Sequence, residues 1–600
     1  MSTMLSQRVR NELLPYVKQP SQYIGGEWNQ LVGPDDWDGA EVRVAIGFPD
    51  TYTIGMSHLG CQILYWLCNH TPGVCAERVF CPWTDAENVM RAKGLELFTW
   101  DTRRPVSQCD IFAISLQYEM GFTNVLTLLD LAGIPFRATQ RDDSHPLVIF
   151  GGPQADNPEP VADFADLVVL GDGEESMKAI LAKYKELKAG GVRRRDMIVQ
   201  LAEAFDWIYA PSLYDVAYTD SGAVRSITPR STKIRSRIER CQTPEFDAAP
   251  FPIRPLVPYT QVVHDRIAIE IMRGCPQRCR FCHAGYTKRP LRYRTVDKIL
   301  EMAEEMYRST GINELGLLSL STADYPDLPE LAGRIKEQFA PRGVNISVPS
   351  LRVDKMLAHI PQLVAGVRKP GLTIAVEAAR DDMRAAIRKK VTDGDLLDGV
   401  RAAYEAGWKS VKLYFMSGFP GERETDIDGI IDLSRQVSEL RRGISGSPAS
   451  VTASVGWLVP KPYTPYQWMA QPKPEYFQDV RRRLRAAARV KRTAVKLKTH
   501  HIERSILEGV FARGDRRLSH AVEAAWKLGA RFDGWDEKLN PSLWYEAFAQ
   551  TGIDIDFYAH RERDADEVFP WTHLHGGAPD DYLRNQLGHS TSTSLPILVG

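Results

Sequence analysis

The sequence predicts an α/β protein: a Rossmann-like N-terminal domain, a partial (β/α)6 TIM-type barrel, and a mainly helical C-terminal region. Three observations carry this. Short β-rich runs alternate with helical patterns from about residue 41 to 184, which marks βαβ units and parallel strands. The alternation resumes from about 266 to 468 with six strand candidates. Beyond Pro472 the chain turns helical and basic, then irregular and aromatic. At 600 residues it is too long for one core. The expected divisions are an extension (1–40), the Rossmann-like domain (41–190), a hairpin and linker (191–258), the barrel (259–472) and the C-terminal region (473–600).

In the first domain the strand candidates are VRVAIGF, DIFAISLQ, PLVIFGG and ADLVVLGDG. Two end in glycines, Gly151-Gly152 and Gly171-Asp172-Gly173, where an open parallel sheet places its ligand-binding turns. WIYAPSLYDVAYTDSGAVRSITP reads as a hairpin turning at Asp220-Ser221-Gly222, followed by a linker rich in proline and charge. The barrel candidates are RIAIEIMRG, ELGLLSLS, NISVPS, GLTIAVEA, SVKLYFMSG and SVTASVGWL. Intervening segments such as VDKILEMAEEMYRS carry apolar residues at i, i+3 and i+4, as outer-ring helices do. HSTSTSLPILVG reads as a loose tail.

Apolar residues at 44% and charged residues at 25% are ordinary for a globular enzyme, and 75 basic against 76 acidic residues leave no global field for nucleic acid or acidic membranes. No stretch has the length of a signal peptide or a membrane span, so a cytoplasmic location is expected. Nine cysteines, an odd number, argue against a disulfide framework and for reduced, buried or metal-bound thiols.

RGCPQRCRFCHAGY sets Cys275, Cys279 and Cys282 directly after the first barrel strand. Structural zinc needs a fourth Cys or His, and His283, adjacent to Cys282, is poorly placed to be a second ligand on one tetrahedral ion. Three thiolates can instead hold three irons of a 4Fe-4S cube and leave the fourth open, whereas electron-transfer clusters take four cysteines. An open iron is a position for chemistry.

CxxxCxxC with Phe281 before the third cysteine resembles the radical S-adenosylmethionine (SAM) superfamily motif. The resemblance implies that SAM chelates the free iron and is cleaved reductively to a 5′-deoxyadenosyl radical. The electron comes from an external donor such as flavodoxin or ferredoxin. It further implies cofactor contacts where residues match. Besides Phe281, these are Ser319 and Ser321 in SLSTADY for the SAM amino group, Arg352 in VPSLRVD for its carboxylate, Glu377 after the fourth strand for ribose or methionine, and Gly418 in FMSGFPGE for close backbone approach. All lie at strand carboxyl ends, where barrel enzymes build their sites. A surface ion pair is the ordinary alternative for Arg352, and a plain strand-to-helix turn for Gly418.

From about residue 47 to 581 the chain is similar to a group of radical-SAM proteins with a cobalamin-binding-like domain before the barrel, through FPDTYTIGMSHLGCQILY, VIFGGPQADNPEPVADFADLVVLGDGEE, WIYAPSLYDV and ARGDRRLSHAVEAAWKLGARFDGWDE. That implies cobalamin as a candidate further cofactor and cobalamin-assisted methylation as a candidate reaction, with the substrate undefined. The D-x-H-x-x-G motif that supplies an axial histidine is missing, His58 not being at that spacing.

Two other readings compete. Methylthio transfer to RNA or protein needs a second cluster on three N-terminal cysteines. Cys61, Cys68, Cys75, Cys81 and Cys109 offer thiols, but the first two share one helix face and read as core packing. A nucleic-acid binder with a merely structural cluster is the other. RRRLRAAARVKRTAVKLK (481–498) reads as a basic helix with nine Lys/Arg and no acid, enough for a local phosphate-tracking surface that would dock an RNA beside the barrel mouth. Its ordinary alternative is a solvated helix with Leu484, Ala488 and Val495 turned inward. RGDRR (513–517) and FDGW (532–535) read as packing or substrate cover.

Overall fold

The computed structural model describes residues 4–347, 371–490 and 495–591. Its first sheet comprises β1 (Val42–Phe48), β2 (Val74–Phe80), β3 (Ile111–Ser115), β4 (Leu147–Gly151), β5 (Leu167–Val169) and β6 (Ile208–Tyr209), in the order β2-β1-β3-β4-β5-β6 with only β6 antiparallel. Near-continuous Val/Ile runs form strands buried on both faces. The order reverses between β1 and β3, and the crevice at their carboxyl ends is where a doubly wound sheet takes a ligand. The sequence pattern misses β2 because Glu77 and Arg78 interrupt its apolar run. Both are buried, Arg78 bridging Glu27 and Asp101 at 2.8 Å each. Paired and hydrogen-bonded, such a charge sits inside a strand without the full desolvation penalty. β7 (Tyr214–Tyr218) and β8 (Val224–Pro229) form the expected hairpin, turning through Gly222 at φ +85°.

The barrel strands lie in two parallel sheets. β9 (Ile267–Glu270), β12 (Glu314–Leu318) and β13 (Asn345–Ser347) make one, while the two-residue β10 (Met272–Arg273) and β11 (Arg292–Tyr293) pair antiparallel around the cysteine loop. β14 (Leu372–Glu377), β15 (Ser410–Ser417), β16 (Ser450–Trp457) and β17 (Val495–Thr499) make the other. All six expected strands are present, and β17 is a seventh. It corrects the expectation of one basic helix over 481–498: the helix is Pro474–Val490, and Val495–Thr499 pairs with β16 instead. Alternating Val495, Lys496, Leu497, Lys498 and Thr499 suits a half-buried strand, and pairing overrides helical propensity.

Alternate side chains of each strand face the helices. Ile267, Ile269, Leu315 and Leu317 pack with the helix Val296–Thr310, and Val411, Leu413 and Phe415 with Glu424–Ser445. The other row of each strand faces the barrel interior.

The helices Ile502–Ala512, Leu518–Lys527 and Pro541–Thr551 do not stand apart. They share one hydrophobic core with the first sheet. Trp526 Nε1 donates to Thr127 Oγ1 at 3.0 Å, and the Phe532 amide donates to Asn124 Oδ1 at 2.9 Å. Asp533 accepts from Thr123 at 2.6 Å and Trp544 at 2.9 Å, and Trp535 donates to Asp50 at 3.0 Å. In RGDRR, Arg513 donates to backbone carbonyls and Arg516 pairs with Glu159 at 3.1 Å. Both motifs are packing. No helix among the described residues is long and apolar enough to cross a membrane.

Candidate active site

The loop Gly274–Cys282 leaves the carboxyl end of the first barrel strand. Gly274 has φ +94°, and a Cβ there would stand 2.5 Å from the Lys288 carbonyl, so the turn requires glycine. Arg289 staples the loop, donating to the carbonyls of Cys275 at 3.0 Å, Pro276 at 3.3 Å and Gly285 at 3.0 Å. Gln277 donates to Asp324 at 3.0 Å, which ties the loop to the segment after β12. The Arg280 amide donates to the Ile387 carbonyl at 3.0 Å, which ties it to the segment after β14. These ties hold one buried thiol, Cys275, and two half-buried ones, Cys279 and Cys282, on one loop.

Cys282 acts on the Cys275 thiol, and both Cys275 and Cys282 act on Cys279. Burial pushes all three thiols up, Cys279 to about 11, while Lys389 opposes the rise at Cys279 and Cys282. Backbone amides of Gln277 at Cys275, and of Gly285 and Ala284 at Cys282, donate towards sulfur, which favours thiolate. His283 is turned away from the thiols: its Nε2 lies 3.2 Å from Asp156 and its ring stacks 6.3 Å from Tyr463. Among the described residues no three His, Cys, Asp or Glu side chains close around a single ion. With His283 directed at Asp156, the donor set is three thiolates, which fits a multi-iron cluster.

Glu377 sits against this corner and in the field of Cys279 and Cys282. It ends β14 at a bulge with φ +71°, a conformation that costs a non-glycine residue about 1–3 kcal/mol. Lys389 pairs with it at 3.4 Å. Phe281 packs on Phe419 with ring centroids 5.6 Å apart, an apolar cover beside the thiols. Ser319 bonds Thr322 at 2.8 Å and lines a cavity. The buried Ser321 hydroxyl donates to Asp324 at 2.6 Å, so it braces the loop's anchor. Gly418 has φ +104° and packs on Phe477, whose ring a Cβ would meet at 2.9 Å. Its amide donates to Glu422 at 2.8 Å. That space is filled by the protein itself. Arg352 lies outside the described residues.

Sequence reasoning passed over Asp324, Lys389 and Arg289. Each acts from an adjoining turn whose distance from the cysteines no spacing rule fixes.

A cavity of about 520 Å³ opens between the carboxyl edge of the first sheet and the barrel. One wall carries Ile46, Ile114 and Phe150, the other Met272, Ser319 and Leu320. His58 lines it and caps the helix Leu59–Asn69, its Nδ1 accepting from the Cys61 amide at 3.2 Å. Burial drives its pKa down to about 4. Gly152 and Gly171 also line it, but a Cβ at either would meet the Leu116 or Cys241 carbonyl at 2.6 and 2.1 Å. Those glycines serve the chain's own packing. The N-terminal cysteines 61, 68, 75, 81 and 109 are all buried in the first core.

A parallel barrel whose first strand feeds a three-thiol corner defines an iron–sulfur radical enzyme. Comparison with known proteins agrees. Residues 60–211 match the family of radical SAM proteins, N-terminal, and residues 269–434 the radical SAM superfamily. The chain is a radical SAM enzyme. An uncharacterised protein of Methanocaldococcus jannaschii is 24% identical over 484 residues, covering 80% of this chain and 90% of that one. The ribosomal protein uS12 methylthiotransferase RimO of Methylibium petroleiphilum is 26% identical over 216 residues, 32% of this chain and 45% of the relative. Of solved structures, the radical SAM methyltransferase TsrM of Kitasatospora setae, with cobalamin and a [4Fe-4S] cluster bound, aligns at TM-score 0.46 and 12% identity over 71% of this chain and 74% of that one.

Proposed function

We propose that Cys275, Cys279 and Cys282 hold a 4Fe-4S cluster at which SAM is reductively cleaved. The observation that carries this is the thiol corner itself: one loop, pinned to two barrel segments, with amide donors at sulfur and, among the described residues, no fourth cysteine or histidine directed at it. When bound, the reduced cluster supplies the electron that converts SAM to methionine and a 5′-deoxyadenosyl radical. The chain's own residues position and shield. Glu377, held on its bulge by Lys389, orients the polar end of SAM, Phe281 and Phe419 exclude water, and Ser319 faces the route between barrel and cavity. An external electron donor and a cytoplasmic location complete the reading.

The cavity at the strand switch point is proposed to take cobalamin, which would make methyl transfer the reaction. Its apolar walls fit a broad macrocycle, and both the sheet and the barrel front it. Methylthio transfer is disfavoured by the burial of the five N-terminal cysteines in the first core, where they pack as apolar groups.

The test is anaerobic: reconstitute with iron and sulfide, add SAM and reductant, and quantify 5′-deoxyadenosine. Wild type should form it, and Cys275→Ala, Cys279→Ala or Cys282→Ala should abolish it. Undiminished cleavage in any of the three would sink the assignment. For cobalamin, protein produced with the vitamin supplied should carry its visible spectrum. A colourless cluster-free protein would remove that part alone.

A further inference from the structure

The inner row of the second barrel sheet carries charge that the cofactors leave unused. On β17, Val495 and Leu497 pack towards the core shared with the outer helices, so Lys496 and Lys498 project from the opposite, inward face, and both are exposed. The register sets Lys496 in line with Thr452 and Lys412, and Lys498 in line with Ser454 and Tyr414. Lys412 Nζ donates to Tyr414 at 2.7 Å and lies 4.5 Å above its ring. His500 continues the row over Gly456, where a Cβ would stand 3.7 Å from His500 Nδ1. Strand geometry puts Lys496 and Lys498 about 6.6 Å apart, and Lys412 about 9.6 Å across two strands. Among the described residues none of the three lysines pairs with a carboxylate. Carboxylates border this face at both ends: Glu377, paired with Lys389, at one, and Glu508 and Asp536 in the field of His500 at the other.

We propose that this face is the substrate wall and that the substrate is a single-stranded nucleic acid whose phosphates follow β17 towards the cysteine loop. The inference rests on the radical SAM reading, which requires a substrate inside the barrel. Three ammonium groups without a carboxylate partner, Lys496 and Lys498 along β17 and Lys412 two strands away, favour a polyanion. Hydroxyls of Thr452 and Ser454 between them suit phosphate oxygens, and the Tyr414 and His500 rings give bases a surface to stack on. β17 is the edge of its sheet, so a polymer can enter from the side. The row runs with the strand, from Lys496 through Lys498 to His500, and delivers a base to the carboxyl ends where the thiols stand. The exposed Arg485 and Arg489 lie instead on the helix Pro474–Val490, which packs on the outer face and serves as the control.

The test is fluorescence anisotropy of the full chain with a labelled single-stranded RNA of mixed sequence, about 15 nucleotides long, over a range of salt. Wild type should bind in a salt-dependent way. The pair Lys496→Gln and Lys498→Gln should weaken binding at least tenfold and lower the slope of log K against log salt by about 1.4, near 0.7 for each lost contact. Lys496→Arg with Lys498→Arg should keep the slope, which separates charge from folding. Unchanged affinity and slope in the glutamine pair, loss that follows Arg485→Gln and Arg489→Gln instead, or equal displacement by ATP at matched phosphate would each overturn the proposal. 5′-Deoxyadenosine is assayed separately on the same preparations. Its absence with RNA binding intact fails the enzyme reading alone, and its presence without salt-sensitive binding fails this inference alone.

Discussion

Two carboxylates show how environment assigns roles. Glu377 accepts a strained backbone to stand beside the thiols, and the proposed role rests on its carboxylate. Glu377→Gln should lower 5′-deoxyadenosine formation at least tenfold, about 1.4 kcal/mol, while iron content after reconstitution stays at the wild-type level. Glu422 lies behind the same barrel end, where burial pushes it up to about 7 despite hydrogen bonds from Tyr476, Gly418 and Ser417. Unfolded, it titrates near its ordinary value of about 4.3. Between those values the folded chain keeps a proton that the unfolded chain has lost. Its contribution is therefore complete below about pH 4.3, falls as pH rises through 7, and amounts to roughly 3–4 kcal/mol. Urea midpoints against pH should show that decline in wild type, flattened in Glu422→Gln. The three cysteines and Glu377 were legible in the sequence because spacing and a strand end expose them. Ser321 and Gly418 were legible as positions only, since what their atoms touch is settled by partners such as Asp324 and Phe477.

At the level of elements, the cysteine loop depends on a turn that one methyl group would spoil. Gly274→Ala would force the loop off the Lys288 carbonyl, at about 1–3 kcal/mol of strain. The expected result is a folded protein by circular dichroism with clearly reduced iron content. Strands with unbroken apolar runs were readable, as were the hairpin and the six barrel strands. β2 escaped because buried ion pairs put Glu77 and Arg78 where pattern reading expects apolar residues. β17 escaped because its lysines extend a run of arginines, and composition spoke for helix. Yet the period-two alternation of VKLKT was present, and it moves two of the nine basic residues from an outer helix to the barrel's inner wall.

For the whole molecule, the sequence divided the chain by changes of pattern and so set its last hundred residues apart. Burial ties them to the first sheet, through contacts that no local pattern announces. Trp544 is 1% exposed in the core it shares with strands some 400 residues earlier, and Trp544→Ala should destabilise the sheet domain by about 3–5 kcal/mol. Denaturant unfolding followed by near-ultraviolet circular dichroism should show the shift, and an unmoved midpoint would mean that the helices dock independently. The shared core also sets an order of manufacture. A chain leaves the ribosome amino end first. The first sheet is therefore made some 350 residues before the helices that complete its core, and its apolar face stays uncovered until the carboxyl end arrives.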